Sequence, residues 1–259
     1  MSESTPEPDR AAPSPQRQIA SLLLPRRSGQ PPLLHANRPV GPGGAKVVGN
    51  ALISFLDEIP AEDQAAISDL TLLAMLNSDV LFPDKTSNMD KWYANYNHVL
   101  GVGGMNVQGD DYSQYDTGST TLEVDKVVLE ILESLLAEDE AGAVKKAIGA
   151  LKGEAEAAEN KAAKLWDRQS LGEKQGSFSV GVARLTPGNL VVLKTSFFSF
   201  TTSTTTTHVL WTKWSSSSSS VYTGHRTMVF NREQWQRVAE TVKTKLGDRG
   251  NEMMEAFEV

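Results

Sequence analysis

The chain has 259 residues, no cysteine, a net charge of −7 and a pI near 5.2. That excludes disulfide frameworks, thiol nucleophiles and Cys-rich zinc sites, and leaves no concentrated basic face for nucleic acid. A hydrophobic fraction of 39% is ordinary and supports a sizeable core. Residues 1–45 hold most of the prolines and carry a formal +2, leaving −9 for the remainder. This composition predicts a disordered tail, either a plain flexible terminus or a removable pro-segment or export address. Its one apolar run, Ile19 to Leu24, is too short for the hydrophobic stretch of a secretory signal. Synthesis in the cytoplasm, with release by another route, is therefore expected.

Residues 46–250 read as one domain and 251–259 as a C-terminal tail. Val47 to Ile59 and Ala61 to Leu81 are predicted as two helices broken at Pro60, with Glu62 and Asp63 suited to the positive end of the second. Lys85 to Leu100 follows as a helix bearing Trp92, Tyr93 and Tyr96, then Val99 to Gln108 as an irregular, Gly-broken strand. Near Thr120 a further helix begins, with Thr120 and Glu123 at capping-box spacing and Val124, Val127, Val128, Ile131, Leu132, Leu135 and Leu136 at helical period. Residues 139–169 continue as one or two Ala-, Lys- and Glu-rich helices with a thinner apolar side of Val144, Ile148, Leu151, Leu165 and Trp166, suggesting a peripheral or movable layer.

From Ser177 the period changes to two. Phe178, Val180 and Val182 alternate with small residues, Thr186-Pro187-Gly188-Asn189 has the chemistry of a tight turn, and Leu190 to Thr202 returns as a partner strand. His208 to Trp214 and Val221 to Phe230 are two more strands joined through Ser215 to Ser220. Asn231 and Gln234 then open a last helix with the inner stripe Trp235, Val238, Val242 and Leu246, ended by Gly247. The order predicts an α+β fold, a layered α/β/α single domain whose antiparallel sheet is covered by helical hairpins, closed by a C-terminal helix.

Enzyme chemistry finds no support in the residue pattern, and neither a cofactor nor a small-molecule substrate is expected. His35, His98, His208 and His225 never occur at metal-ligand spacing, although His208 and His225 on neighbouring strands would titrate together. Asp110, Asp111 and Asp116 lack the Gly and distal Glu of a calcium loop. Gly101, Gly103 and Gly104 do not precede a helix start, and the serines have no evident base.

The unusual feature is the stretch from Thr195 to Thr223, in which 18 of 29 residues are Ser or Thr, threaded with aromatics and carrying one formal charge, Lys213. We read it as long strands with one hydroxyl-rich and one more apolar surface, tolerable beside water, lipid or another subunit because a hydroxyl is far cheaper to desolvate than an ion. Phe197, Phe198, Phe200, Thr204, Thr206, Val209, Trp211, Trp214 and Tyr222 are its expected membrane or assembly contacts. Adjacent Phe197 and Phe198, and the apolar-free run Thr204 to Thr207, make its alternation imperfect.

The amphipathic run Val124 to Leu136, the Ala-rich helices ending in Lys164-Leu165-Trp166, the hairpin Phe178 to Phe200, then His208-Val209-Leu210-Trp211-Thr212 and Thr227-Met228-Val229-Phe230 before a last helix resemble the layout of the cytolytic δ-endotoxin (Cyt) family and its fungal volvatoxin-like relatives. The match is one of element order over roughly residues 47–247. The resemblance implies a non-enzymatic protein that attacks membranes after helices swing away from a sheet; a pore-forming cytolysin is the expected function, with membrane lipid and further copies of itself as expected partners. The Pro-rich tail and the long hydroxyl tracts depart from that layout. A self-assembling structural or inclusion-forming protein, or an injected cargo, is the alternative the uncharged strands allow.

Overall fold

The structure, a computed structural model, describes residues 12–25, 39–115, 121–155, 161–171, 175–201, 213–215, 220–247, 249–257 and 259. Seven strands form one sheet, β3 (Met105–Tyr115), β8 (Ser220–Phe230), β6 (Val191–Thr201), β5 (Gln175–Leu185), β2 (Ala51–Phe55), β1 (Ala45–Val48) and β9 (Met254–Phe257), in that spatial order. Helices cover both faces. On one side lie α1 (Pro15–Ser21), α2 (Ala61–Leu81), α3 (Lys85–Gly103) and α7 (Arg232–Leu246), and on the other α4 (Val124–Leu135), α5 (Glu138–Ala155) and α6 (Lys161–Ser170). A short strand pair, β4 (Thr121–Glu123) with β7 (Lys213–Ser215), and the one-turn helix α8 (Arg249–Met253) complete the described elements.

The α+β, three-layer architecture is that expected, and the sheet is mixed, since β2 pairs parallel to β5 with Ala51 opposite Ser179 while the other pairs are antiparallel. The difference originates at residues 47–59, where a helix was expected and the hairpin β1–β2 stands. Gly49 and Asn50 form its two-residue turn, with Val48 opposite Ala51 and Gly49 at φ +58. A Cβ on Gly49 would collide with the Met75 sulfur. Both strands are buried throughout, so apart from Lys46 and Ser54 their side chains are apolar on both faces and show no alternation to distinguish them from a buried helix.

Beyond Pro60 the expectation holds. α2 starts with Glu62 and Asp63 in its first turn and is buried nearly all round between sheet and outer helices. α3 runs through Gly103, so residues 99–103 are helical and the strand begins at Met105, after Gly104 at φ +112. Asp110 and Asp111 stand in β3 rather than in a loop, while Asp116 lies outside the described residues. The helix expected at Thr120 begins at Val124, because Thr121 to Glu123 pair with β7 instead of entering the first turn. Its Leu135 is 45% exposed, not buried. Asn231 caps α7 as expected, its Oδ1 accepting the Gln234 N–H at 3.0 Å. The Gln234 amide does not return to close a capping box but donates to the Gly101 and Val102 carbonyls, fastening the end of α3.

The terminal segments also carry structure. α1 buries Ile19 completely against α3 and α7, and the neighbouring backbone is tied down by Asn77 donating to the Leu23 carbonyl and Arg249 to that of Pro25. Met254 to Phe257 extend the sheet beside β1, with Val48 opposite Met254.

One buried cation interrupts the core. Lys46 of β1 is 1% exposed, with its Nζ 5.5 Å from the Phe55 ring centroid, and burial lowers its pKa to about 8 against the opposing pull of Asp69. Between pH 8 and 10.5 the unfolded chain then binds more protons at this residue, so its contribution to stability rises with pH, by on the order of 3 kcal/mol. Urea unfolding at pH 7.5 and pH 10 is expected to show this gain in the native chain and its loss in Lys46→Met; parallel pH dependences in the two proteins would refute it.

Candidate functional site

β3, β8, β6 and β5 are each 11 residues long and lie side by side in antiparallel register. Pairing in that register fixes which side chains share a face. Phe178, Val180 and Val182 of β5, Phe198 and Phe200 of β6 and Val221 of β8 face α4, α5 and α6. Ser177, Ser179 and Ser199 face the other way, toward α2 and α3, and are themselves buried. Tyr96 reaches Ser179 and Thr71 from α3, and burial pushes its hydroxyl pKa upward, with Tyr93 adding and those two hydrogen bonds opposing.

The division into an apolar and a hydroxyl-rich surface is therefore visible along β5 and the end of β6, with Phe197 as the exception. Phe197 crosses to the hydroxyl side, where its ring stacks on Trp92 at 5.3 Å and lies 5.1 Å from Tyr93. Phe198 points the opposite way and stacks on Phe178 at 5.2 Å, and Phe178 meets the edge of Trp166 at 5.4 Å and Phe200 at 6.3 Å. Adjacent phenylalanines need no irregularity here, because a sheet covered on both faces requires apolar contacts on both.

Phe197, Phe198 and Phe200 are each 2% exposed, so none reaches solvent, lipid or another chain while the helices are in place. Tyr222 is exposed on β8, opposite Ser199 of β6 and Gln114 of β3. The backbone of Trp214 pairs with Leu122, joining β7 to the strand that leads into α4. Thr204, Thr206, Val209 and Trp211 lie outside the described residues, as does His208, so its pairing with His225 does too.

The layer α4–α6 differs from the layer opposite. α4 and α6 each bury one face, Val124, Val128, Ile131 and Leu132 in the first and Ala162, Ala163, Leu165 and Trp166 in the second. α5 contributes Val144, Ile148 and Leu151. Where α4 crosses the strands, a void of about 10 Å³ is lined by Val124, Val127, Val128, Phe178, Phe198, Phe200 and Val221, too small and too apolar to hold a water.

Polar contacts tie this layer to the sheet at Trp166 and at Glu140. Trp166 Nε1 donates to the Asn50 carbonyl at 3.1 Å, and Asn50 Nδ2 donates to the Ser177 carbonyl at 3.0 Å. At the turn between α4 and α5, Glu140 accepts from Lys194 Nζ at 2.6 Å and from Arg184 at 3.5 Å, while its Oε2 also accepts the Ala137 N–H at 3.0 Å. Burial raises the Glu140 pKa, but the Lys194 and Ala137 hydrogen bonds and the two cations outweigh it and hold the carboxyl below its ordinary value. Asp125 and Lys152 join α4 to α5. None of Glu140, Lys194, Arg184, Trp166 and Asn50 is identified as a contact residue from sequence; the available sign was Glu140, three positions after Ala137, the residue before α5.

No protein-family model matches the chain, and no curated protein matches it. Among solved structures it is similar to the activated Cyt2Ba monomer of Bacillus thuringiensis subsp. israelensis, at 14% identity and a TM-score of 0.32 over 51% of this chain and 77% of that one. It is also similar to a delta-endotoxin, at 12% identity and 0.41 over 80% and 90% of the two chains. The Evf virulence factor matches at 11% identity and 0.36 over 85% and 87%. Cyt2Ba and the delta-endotoxin belong to the family whose layout the sequence resembles.

Proposed function

We propose that this chain is a membrane-active, pore-forming cytolysin whose α4–α6 layer leaves the sheet at a lipid surface, after which copies assemble through their long strands. The observation that carries this reading is the face Phe178, Val180, Val182, Phe198, Phe200 and Val221, continuous across three strands and hidden beneath helices that have one apolar side each. Strands of 11 residues have the length of a tilted membrane-spanning strand, and their opposite side carries the hydroxyls of Ser177, Ser179 and Ser199, which stay beneath α2 and α3. Among the described residues no helix is long and apolar enough to cross a membrane.

The helices expected to swing away from the sheet narrow, on this reading, to one layer. Residues 45–55 are strands of the sheet, and α2 is enclosed on nearly every side, which leaves α4–α6 as the removable cover. The partners of the chain are membrane lipid and further copies of itself, it performs no catalysis, and it acts at a target membrane.

Dye-loaded liposomes provide the test. Leakage on addition of the purified chain is expected, and intact vesicles across pH 5–9 and across zwitterionic and anionic compositions would refute lytic action. In the same assay Thr204→Asp with Thr206→Asp is expected to leave the monomer folded and abolish leakage, because paired like charges buried against lipid or a neighbour have no counter-ions. Undiminished leakage would mean that these threonines stay in water. Filaments formed without lipid, in the absence of any leakage, would favour the self-assembling structural alternative.

A further inference from the structure

The α4–α5 turn meets the sheet at a cluster of charged side chains. Glu140, with a side chain 2% exposed, accepts from Lys194 of β6 and Arg184 of β5. Next to it a cavity of about 210 Å³ separates Leu135 and Leu136 from the strands, and its wall holds Lys194, Ser196, His225 and Asp111. Asp111, His225 and Ser196 form one cross-strand row over β3, β8 and β6, on the same face as Lys194. His225 Nδ1 lies 3.0 Å from Ser196 Oγ. We propose that Glu140 and this His225 row form an acid-operated latch, which pins the α4–α5 turn to the sheet at neutral pH and releases it as the pH falls.

The proposal rests on the membrane-active reading for its purpose, while the latch itself is a property of the isolated chain. Among the described residues, the elements packed on this face offer these charged groups. β3 offers Asp111, β6 offers Lys194, β5 offers Arg184, and α5 offers Asp139 and Glu140, with Asp139 paired to Arg184 at 3.3 Å. Glu130 and Glu133 of α4 are on its exposed side, and Arg226, next along β8, sits over the Tyr93 ring on the other face. A proton on His225 thus places a second cation on the face that holds Lys194, with Asp111 as the acid that opposes it directly.

Both titrations act in one direction. Burial lowers the His225 pKa below 6.5, with Asp111 opposing, so as the pH falls below 6.5 the unfolded chain takes up the proton more readily and stability declines. Glu140 lies below its ordinary value of 4.5, so its ion pairs are intact above 4.5 and are lost as the pH falls through the folded value. His225 loosens the contact first, and protonation of Glu140 then removes the carboxylate that both cations require. Asp125 and Lys152 keep α4 and α5 together, so the pair departs as one unit.

Hydrogen exchange of the lipid-free full chain, normalised for the intrinsic pH dependence of exchange, tests the latch. Between pH 7.5 and pH 5 the amides of α4 and α5 are expected to exchange about tenfold faster while those of α2 are unchanged. Glu140→Gln, an isostere without the charge, is expected to speed exchange of α4 and α5 already at pH 7.5 and to abolish the further rise that the native chain shows below pH 4.5. His225→Asn, which does not titrate, is expected to move the opening to lower pH, and it stands as the deciding variant if Glu140→Gln fails to fold. Equal acceleration of α2 and α4–α5, or an opening pH unmoved by His225→Asn, would overturn the latch. Liposome leakage run alongside separates the two ideas, since preferential exchange without leakage would retain the latch and refute the lytic role.

Discussion

Replacing Arg232 with Ala is expected to cost about 3–5 kcal/mol of folding stability, through a contact far from the proposed site. The Arg232 Nε donates to both oxygens of Asp63, at 3.1 and 2.9 Å, and a terminal nitrogen reaches Oδ2 at 2.6 Å, while the other donates to the Asn189 carbonyl at 2.6 Å. One guanidinium therefore ties the first turn of α7 to the first turn of α2 and to the β5–β6 turn. Asp63 has a side chain only 4% exposed against 31% for Arg232, so removing the arginine strands a buried anion. Removing Asp63 leaves a cation that water can reach, and Asp63→Ala should cost less. Arg232→Lys keeps the charge without the planar fork and should fall between. Urea midpoints with unchanged m-values would measure the order, and equal losses in the two alanine variants would contradict it.

Phe178→Ala should destabilise the fold by a similar amount, about 3–5 kcal/mol, and with a different regional signature. Phe178 is fully buried where Trp166, Phe198 and Phe200 converge, next to a void already present under α4, so truncation enlarges a cavity that the surrounding β-sheet cannot close. Because the lost contacts join the α6 layer to the sheet, α4–α6 should exchange amide hydrogens faster than α2 does. On the proposed mechanism the variant releases dye at lower protein concentration despite its lower stability. Phe197→Ala removes a ring of the same size from the opposite face, against Trp92 and Tyr93, and should lose stability without that gain. Equal leakage by the two variants would argue against α4–α6 as the layer that leaves.

Legibility from sequence followed the range of the interactions. The β5–β6 hairpin was readable because its turn is local: the Asn189 N–H donates to the Thr186 carbonyl at 2.9 Å, and Asn189 takes the positive φ of 59 that Asn tolerates. α7 was readable from its cap and stripe, and α2 from Pro60 and the acids after it. β1 and β2 were not, since their strand identity comes from enclosure by β9 and β5, although Gly49-Asn50 was a usable hairpin signal. β9 was missed for the same reason, a four-residue strand defined by a distant partner. Of the proposed contact residues, aromatic threading correctly marked Phe197, Phe198 and Phe200 as belonging to a strand; it did not reveal that they are enclosed, because burial depends on helices elsewhere in the chain. The Glu140 cluster unites α5, β5 and β6, and no local window contains all of it.

The parallel pairing of β2 with β5 has a kinetic consequence. Ala51 must wait for Ser179, and β1 for Met254, before the sheet is continuous, whereas β5–β6, β6–β8 and the α2–α3 pair form from nearer neighbours. Such distant closures are entropically late in folding. On the ribosome, the β1–β2 hairpin would therefore emerge with both edges open and apolar on either side, at risk of pairing with the same hairpin of a neighbouring nascent chain. Yield on expression should depend on how quickly β5 follows, and slowing translation between residues 56 and 175 should increase the insoluble fraction.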